Sequence, residues 1–336
     1  MRKLKENVVY DLEQNRGQVL SGQMLAERHA VSRAAVWKAV QSLRQEGHEI
    51  EAVPGGGYRL ISDRLSVAGV QAHLEPIGWM APVFLLEEAT STNEEAFRLL
   101  SQGAPHGTMV LAGQQTAGRG RRGKPFFSPP DAGLYMSLLL TPKTKTPTKV
   151  TVAAAVAVCR ALAPWSRRAP EIKWVNDVYL DGKKAAGILT EAYVDVERME
   201  PQSVVLGIGI NITPPEGGYP SELDGTITSL FPEENPPETF SRCLLAAEIA
   251  KLCAALCEDL DDPALMEEYR ERSFLLGKEI TYLEEGAFKE GMARGINEAG
   301  NLLVETREGI RVLQAGEVSV RKGKQNEAAW GGSYDD

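Results

Sequence analysis

The sequence Gln114-Gln115-Thr116-Ala117-Gly118-Arg119-Gly120-Arg121-Arg122-Gly123-Lys124 places three glycines and four cationic side chains in one short stretch. Glycines let a backbone approach a ligand closely and present its N–H groups, while arginine and lysine supply positive charge. Apolar segments at 108–113 and 133–140 flank the stretch and predict two strands. We therefore expect a loop at one end of a sheet that binds a phosphate-bearing group.

Residues 118–123 also fit the G-x-G-x-x-G pattern of dinucleotide-binding folds. That fingerprint requires a helix that begins at its end and holds the pyrophosphate on its N-terminus. Here Pro125 follows at once, and Pro129 and Pro130 come after a short aromatic run. Because prolines disfavour a helix in this place, the sequence argues against a Rossmann site.

The composition indicates an ordinary globular protein of two or three domains, with 336 residues, 43% hydrophobic residues and a formal charge of −9. The acidic balance disfavours a protein that coats nucleic acid or membranes along its whole length. Residues 1–64 differ, because ten Lys and Arg against eight Asp and Glu give them a net charge of +2. A small DNA-binding module is therefore compatible with the acidic chain.

The sequence has no secretory signal pattern and no apolar run near eighteen residues, so we expect a cytoplasmic protein without a membrane partner. Its four cysteines lie in Ala- and Leu-rich helical patterns, without a C-x-x-C pair or a nearby histidine; they are Cys159, Cys243, Cys253 and Cys257. We expect buried thiols in preference to a metal site.

The first 64 residues predict a winged helix-turn-helix. Helical spacing of apolar residues, with Ser21 and Ser32 as N-caps, predicts three helices. Two strand-like segments then flank residues 54–57, a Pro-Gly-rich turn that would form the wing. The polar side of the third helix supplies the candidate DNA-binding residues Ser32, Arg33, Lys38, Gln41 and Arg44. A protein-interaction domain with a solvated charged face is the alternative. DNA binding by one such module would need a dimer on two half-sites.

From about residue 65 to 271, strands alternate with helices, and polar residues cluster where strands end. A strand at 83–86 leads into a predicted helix N-terminus, where Thr92 and Glu95 fit a capping box. The same hydroxyls and amides would suit a small polar ligand, and both interpretations remain open. Gly207 and Gly209 within a later strand predict the close approach of a ligand or another backbone.

The last part of the chain contains three segments with different sequence patterns. Residues 238–271 predict a long helix and a further helical turn, which would cover the sheet. Short alternating segments and glycine turns at 272–321 predict a small all-β barrel. Residues 322–336 are polar and lack periodicity, so we expect a disordered tail.

Five motifs in order resemble those of the biotin protein ligases: Ser91-Thr92-Asn93, residues 115–123, Lys173-Trp174-Val175-Asn176-Asp177, residues 184–189 and Gly207-Ile208-Gly209-Ile210-Asn211. With the winged helix in front, the chain is similar to the bifunctional ligases that also act as biotin operon repressors. The resemblance implies an α+β multidomain protein with a central α/β domain like that of class II synthetases, containing a mixed sheet, and a C-terminal SH3-like barrel.

The resemblance also implies a role for each matching residue. Biotin would be bound by Ser91, Thr92, Asn93, Gln115, Gly118, Arg119, Gly120, Arg121, Lys184 and Gly187. ATP and the adenylate would be bound by Arg119, Arg121, Arg122, Phe126, Lys173, Asn176 and Asn211, with Phe126 where the family usually has a tryptophan. Lys184, Arg121 and Asp177 would be catalytic, and Asn211 would also contact Mg²⁺.

The implied reaction forms biotinyl-5′-AMP from biotin and ATP with Mg²⁺, and then transfers biotin to a lysine of the biotin carboxyl carrier protein of acetyl-CoA carboxylase. The implied regulation is binding of operator DNA of biotin genes by a homodimer that forms when biotinyl-AMP is bound. A biotin-sensing transcription factor without ligase chemistry is one alternative. A lipoate-type ligase on the related fold is another, which the winged helix disfavours.

Overall fold

The computed structural model describes residues 2–142, 147–195, 200–233, 235–284, 286–314, 316 and 318–320. The N-terminal part contains three helices, α1 (Leu4–Gln14), α2 (Gly22–Arg28) and α3 (Arg33–Gln45), and a hairpin of β1 (Ile50–Val53) and β2 (Gly57–Leu60). Ser21 and Ser32 cap α2 and α3, where their hydroxyls accept hydrogen bonds from the N–H groups of Met24 at 3.0 Å and Ala35 at 3.2 Å. The predicted winged helix-turn-helix is confirmed.

A short helix joins the winged helix to the rest of the protein. In α4 (Val67–Leu74), Ala68 packs in the core of the winged helix, while Val70 and Leu74 pack in the core of the following domain. One helix therefore contributes apolar side chains to both cores.

The carboxylate of Glu13 at the end of α1 fixes this junction further. Arg16 Nη2 donates to it at 2.9 Å, and His73 Nε2 lies 3.2 Å away. Ser241, the N-cap of a helix of the next domain, donates its hydroxyl to the same group. Burial would raise the pKa of Glu13, but the hydrogen bonds from His73 and Arg16 outweigh it and lower the pKa.

The central domain is built on a seven-stranded mixed sheet. Its strands are β3 (Val83–Ala89), β4 (Met109–Gln115), β5 (Gly133–Leu140), β6 (Glu171–Lys173), β7 (Asp177–Leu180), β8 (Lys183–Asp195) and β9 (Glu200–Asn211). The spatial order is β3-β4-β5-β9-β8-β7-β6; β3 and β4 are parallel, and the other neighbours are antiparallel. Residues 174–176 form a turn, so that β6 and β7 pair with each other.

Helices cover both faces of this sheet. One face packs against α6 (Pro147–Leu162), α7 (Arg242–Glu258) and α8 (Pro263–Arg272), and the other against α5 (Thr92–Ser101). Alternation along β5 sends Met136 and Leu138 towards α6 and α7, while Leu139 packs beneath α5. The four cysteines are buried and free, as predicted. The residues 238–271 form two helices because Asp262 caps α8 ahead of Pro263.

The C-terminal part is a five-stranded antiparallel sheet. It contains β10 (Glu279–Glu284), β11 (Ala287–Ile296), β12 (Leu302–Thr306), β13 (Gly309–Leu313) and β14 (Val318–Val320), in the order β13-β12-β11-β10-β14. Its apolar side chains, among them Ile280 and Val304, continue the core of the central domain. The predicted tail at 322–336 lies outside the described residues. Within the described ranges, no helix is long and apolar enough to cross a membrane.

Candidate active site

Glycines form the floor of a cleft on the α5 side of the sheet. Gly187 of β8 lies opposite Gly209 of β9, and Gly207 precedes it on the same strand face. A Cβ atom at Gly207 would stand 2.9 Å from Cγ of Asn93, and one at Gly209 would stand 2.6 Å from Cζ of Phe126. The close approach predicted for Gly207 and Gly209 is therefore made here by two side chains.

The N-terminus of α5 forms a polar wall of the cleft. The amide N–H of Thr92 donates to Oε1 of Gln115 at 2.9 Å, and Oγ1 of Thr92 lies 3.2 Å from the same oxygen. The predicted capping box is wrong, because the N-cap is Ser91 and the Glu95 carboxylate pairs with Arg98. The Thr92 hydroxyl therefore belongs to a side-chain network and does not cap the helix.

This network continues into the buried layer behind the wall. Ser137 is fully buried on β5, and its Oγ lies 2.8 Å from Oγ1 of Thr92 and 2.6 Å from Oδ1 of Asn93. The amide Nδ2 of Asn93 donates to Oε2 of Glu191 at 2.7 Å. The side chains of this network that line the cleft, Thr92, Asn93 and Gln115, are uncharged, while Glu191 is not part of the lining, and they suit an uncharged polar ligand.

The glycine- and arginine-rich stretch is a loop that folds back on itself. The N–H of Phe126 donates to Gly118 O at 2.8 Å, and the N–H of Gly120 donates to Lys124 O at 2.7 Å. Between them is one turn of 3₁₀ helix, in which Arg122 has a φ of 57°. No helix of the Rossmann type begins among these residues, as the prolines indicated, and the loop presents its cations to the cleft.

Four charged or amide side chains meet at the opposite wall. Lys184 Nζ lies 2.8 Å from Oδ1 of Asp177, and both side chains are half-buried. Arg121 Nη1 donates to Oδ1 of Asn176 at 3.2 Å, which ties the loop to the β6–β7 turn. Asn176 in turn donates its Nδ2 to Ile188 O at 2.8 Å. The residues predicted as catalytic are therefore adjacent.

The ring of Phe126 lies over the glycine floor. A Cβ at Gly187 would stand 3.0 Å from Cε2 of this ring, and Lys184 Nζ lies 5.8 Å from its centroid. A side chain on either Gly187 or Gly209 would displace the ring. The aromatic residue following the loop thus occupies the slot that these two glycines leave.

The β6–β7 turn is held from outside the cleft. Trp174 Nε1 donates to Gly300 O at 2.8 Å, and the hydroxyl of Tyr269 donates to Val175 O at 3.0 Å. Beside the turn, Lys173 Nζ lies 3.4 Å from the hydroxyl of Tyr179. Burial raises the pKa of Tyr179, so its hydroxyl stays protonated.

The cleft has a volume of about 290 Å³ and brings together most of the predicted site. The predicted residues that line it are Ser91, Thr92, Asn93, Gln115, Arg119, Gly120, Arg121, Arg122, Phe126, Lys173, Asn176, Asp177, Lys184 and Gly187. Two others do not line it. A Cβ at Gly118 would lie 2.5 Å from Phe126 O, so this glycine serves the loop's own packing. Asn211 donates its Nδ2 to Thr228 O at 3.0 Å.

Further lining residues were not in the predicted set: Trp174, Ile188, Leu189, Gly207, Ile208, Gly209, Lys124 and Pro125 in the central domain, and Gly316, Val318 and Ser319 in the C-terminal part. Of these residues, Gly207 and Gly209 could be recognised in the sequence, because glycines within a strand indicate a close approach. The three C-terminal residues gave none that physical reasoning could use, because only the tertiary fold brings β14 to the cleft.

Comparison with known proteins agrees with this geometry. Residues 85–211 match the biotin/lipoate A/B protein ligase family, residues 5–59 match an HTH domain and residues 275–321 match the biotin protein ligase C-terminal domain. The bifunctional ligase/repressor BirA of Bacillus subtilis is 33% identical over 328 residues, covering 94% of this chain and 98% of the relative. The chain belongs to the biotin protein ligase family.

Two further members are informative. The biotin–[acetyl-CoA-carboxylase] ligase of Mycobacterium tuberculosis is 31% identical over 257 residues, covering 72% of this chain and 89% of that ligase. The biotin protein ligase of Aquifex aeolicus, solved in complex with biotin and ATP, is 28% identical, with a TM-score of 0.60 and coverage of 72% and 99%. The fold and the family expected from the sequence are confirmed.

The predicted DNA-binding site of this biotin protein ligase lies on α3. Arg33 and Lys38 are exposed and Gln41 is half-buried, all on the outer side of the helix. Ser32 uses its hydroxyl as the helix cap. Arg44 donates Nε and Nη2 to Ile50 O at 3.0 and 2.6 Å, and so braces the start of the wing.

Proposed function

We propose that this protein is an ATP-dependent biotin protein ligase that forms biotinyl-5′-AMP and transfers biotin to a lysine of the biotin carboxyl carrier protein of acetyl-CoA carboxylase. We also propose that it represses biotin synthesis and transport operons as a dimer. The observation that carries the ligase proposal is the placement of the Lys184–Asp177 pair and the arginine loop around one glycine-floored cleft.

The two ends of the cleft suit different chemical groups of the substrates. The uncharged network of Thr92, Gln115 and Asn93 suits the ureido ring of biotin, which offers one carbonyl acceptor and two N–H donors. Arg121 and Lys184 line the other end, where the biotin carboxylate would meet the phosphates of ATP. In this structure Arg119 forms an ion pair with Glu94.

In the first step, an oxygen of the biotin carboxylate attacks the α-phosphorus of ATP. The bond from that phosphorus to the bridging β-oxygen breaks, and pyrophosphate leaves with the electron pair. Two anions must approach each other, so cations already held in place lower the barrier most. Lys184 and the loop arginines, which line the cleft, supply that charge.

In the second step, the amine of the carrier lysine attacks the acyl carbon of biotinyl-AMP. The C–O bond to the phosphate breaks, AMP leaves, and the amine must lose a proton. Asp177 is the candidate to accept or orient that proton. Because a phosphate would compete with Asp177 for the Lys184 ammonium, ligand binding would free the carboxylate for this role.

Magnesium fits this scheme as part of the nucleotide. Among the described residues, no group of three His, Cys, Asp or Glu side chains could hold a metal ion. Proteins often bind Mg²⁺ through one or two carboxylates and the substrate phosphates, so we treat the metal as part of the Mg–ATP substrate. The position of Asn211, outside the cleft lining, gives no support to a direct metal contact by this residue.

The repressor proposal rests on the winged helix. Arg33 and Lys38 are exposed on α3, the helix that such folds place in the major groove. We propose that a homodimer bearing biotinyl-AMP binds two half-sites in the operators of biotin genes, and that the protein acts in the cytoplasm. Carrier protein would compete with dimerisation for the enzyme.

The test is biotinylation of a purified carrier domain with ATP, Mg²⁺ and either biotin or lipoate, followed by gel shifts on the promoter of the biotin genes. We expect transfer of biotin, no transfer of lipoate, and a shift only with biotin and ATP. A shift without carrier labelling would identify a biotin-sensing transcription factor and overturn the ligase. Transfer of lipoate alone would overturn the substrate assignment.

A further inference from the structure

The outer side of α3 carries a large apolar side chain that the predicted DNA-binding set did not include. Trp37 is 54% exposed, the highest exposure among the large hydrophobic side chains of residues 2–64. Its neighbours Val36 and Val40 are fully buried in the core of the winged helix. The indole therefore contributes little to that core and faces solvent.

Spacing places Trp37 in the middle of the polar side. Arg33 and Gln41 are four residues away in either direction, so the three side chains share one face of α3. Lys38 is exposed beside them. Arg44 is occupied with the carbonyl of Ile50. The helix thus presents an aromatic ring framed by two cations and an amide.

This combination fits DNA better than a protein partner. The cations suit the phosphates, and residues 1–64 have a net charge of +2 in a chain of −9. Within the major groove, the C5-methyl group of thymine is the apolar feature among the hydrogen-bonding groups of the bases. We infer that Trp37 reads operator sequence by packing its indole on thymine methyl groups, while Arg33 and Lys38 contact the backbone. This inference rests on the proposed repressor function.

The test removes first the C5-methyl group of thymine and then the indole of Trp37. Duplexes are first selected from a random pool with the full-length protein, biotin and ATP, and each conserved thymine is then replaced by deoxyuridine, which lacks only the methyl group. We expect one such replacement at a contacted thymine to weaken wild-type binding about fourfold. We expect Trp37→Ala to weaken binding of the thymine duplex about tenfold or more, and to make binding insensitive to deoxyuridine.

The chain supplies matched controls. Phe288, on β11 of the C-terminal sheet, is 67% exposed, so Phe288→Ala removes an exposed aromatic ring outside the winged helix and should bind DNA normally. Trp37→Phe should keep part of the sensitivity to the methyl group. Carrier biotinylation and the melting temperature should be unchanged in Trp37→Ala, which shows that a loss of DNA binding is not a loss of folding.

Three outcomes would overturn the inference. Trp37→Ala that binds like wild type, or a deoxyuridine penalty of equal size in wild type and Trp37→Ala, would each remove Trp37 from base reading and leave the repressor function standing. Wild-type protein that selects no duplex above random DNA would instead overturn the repressor function, and this inference with it.

Discussion

The Nζ atom of Lys184 lies 2.8 Å from Oδ1 of Asp177, and both side chains line the same cleft. The lysine is the candidate cation of the first step, and the carboxylate is the candidate proton acceptor of the second. Their contact means that each side chain holds the other in position before any substrate binds.

We expect Lys184→Ala to slow adenylation by about a hundredfold or more, because the mutation removes one preorganised cation from a reaction between two anions. Pyrophosphate release with biotin and ATP measures this step. Lys183, exposed at the tip of the same hairpin, provides the control, and Lys183→Ala should adenylate at the wild-type rate. An unchanged rate in Lys184→Ala would remove this residue from the chemistry.

We expect Arg121→Gly to release biotinyl-AMP from the enzyme. Arg121 ties the loop to the β6–β7 turn through Asn176, and its charge faces the cleft. The escaped adenylate would label lysines of an unrelated protein, which streptavidin blotting detects. Arg168→Gly, which removes an exposed partner of Asp181, should label only the carrier. Carrier-only labelling by Arg121→Gly would show that Arg121 and its contact with Asn176 do not retain biotinyl-AMP.

We expect Gly207→Ala to raise the KM for biotin about tenfold. The new Cβ would displace Asn93 and so break its hydrogen bonds to Ser137 and Glu191, each worth about 1 kcal/mol. Initial-rate kinetics with varied biotin measures the effect. At Gly295 the nearest atom to a new Cβ is 3.7 Å away, so Gly295→Ala should keep the wild-type KM. Equal KM values in both variants would exclude the Asn93 network from biotin binding.

We expect Trp174→Phe to lower the rate of biotin transfer, because it frees the β6–β7 turn from the C-terminal sheet. Trp174 Nε1 donates to Gly300 O at 2.8 Å, and this turn directly precedes Asp177. Trp79 makes the same kind of bond to Gly107 O at 3.2 Å, so Trp79→Phe is a matched control. Single-turnover transfer from preformed biotinyl-AMP measures this rate in both variants, and we expect it to be lower only in Trp174→Phe. Destabilisation of Trp174→Phe without slower transfer would contradict the expected role of the turn.

We expect the free energy of unfolding to fall as the pH drops below about 6.5, with a contribution from His48. Burial, together with the nearby Arg64, lowers the pKa of His48. The unfolded chain therefore takes up a proton at a higher pH than the folded chain, and the contribution to stability is lost as pH falls towards the folded pKa. Urea unfolding at several pH values should show that the free energy of unfolding depends less steeply on pH in His48→Gln than in the wild type. The exposed His106 gives the control His106→Gln, and an identical slope in all three proteins would refute the expectation.

Much of the fold could be predicted because its signals are local. Ser21 and Ser32 cap helices within a few residues of themselves, and the wing follows from the Pro-Gly-rich turn. The prediction of a capping box at Thr92 was wrong because the contacts of this residue are distant in sequence. The partners of this hydroxyl are Gln115 and Ser137, on two other strands, and local spacing does not show them.

The sequence by itself determined the order of domains, the apolar faces of the helices and the family motifs that carry the site residues. Only the tertiary structure decided that Lys184 contacts Asp177, that Phe126 fills the slot over Gly187 and Gly209, and that Trp174 reaches Gly300. These contacts depend on strand pairing and register across the sheet and on the docking of the C-terminal sheet. Helix propensity and capping act over one or two turns, whereas these long-range pairings arise from burial of the shared core.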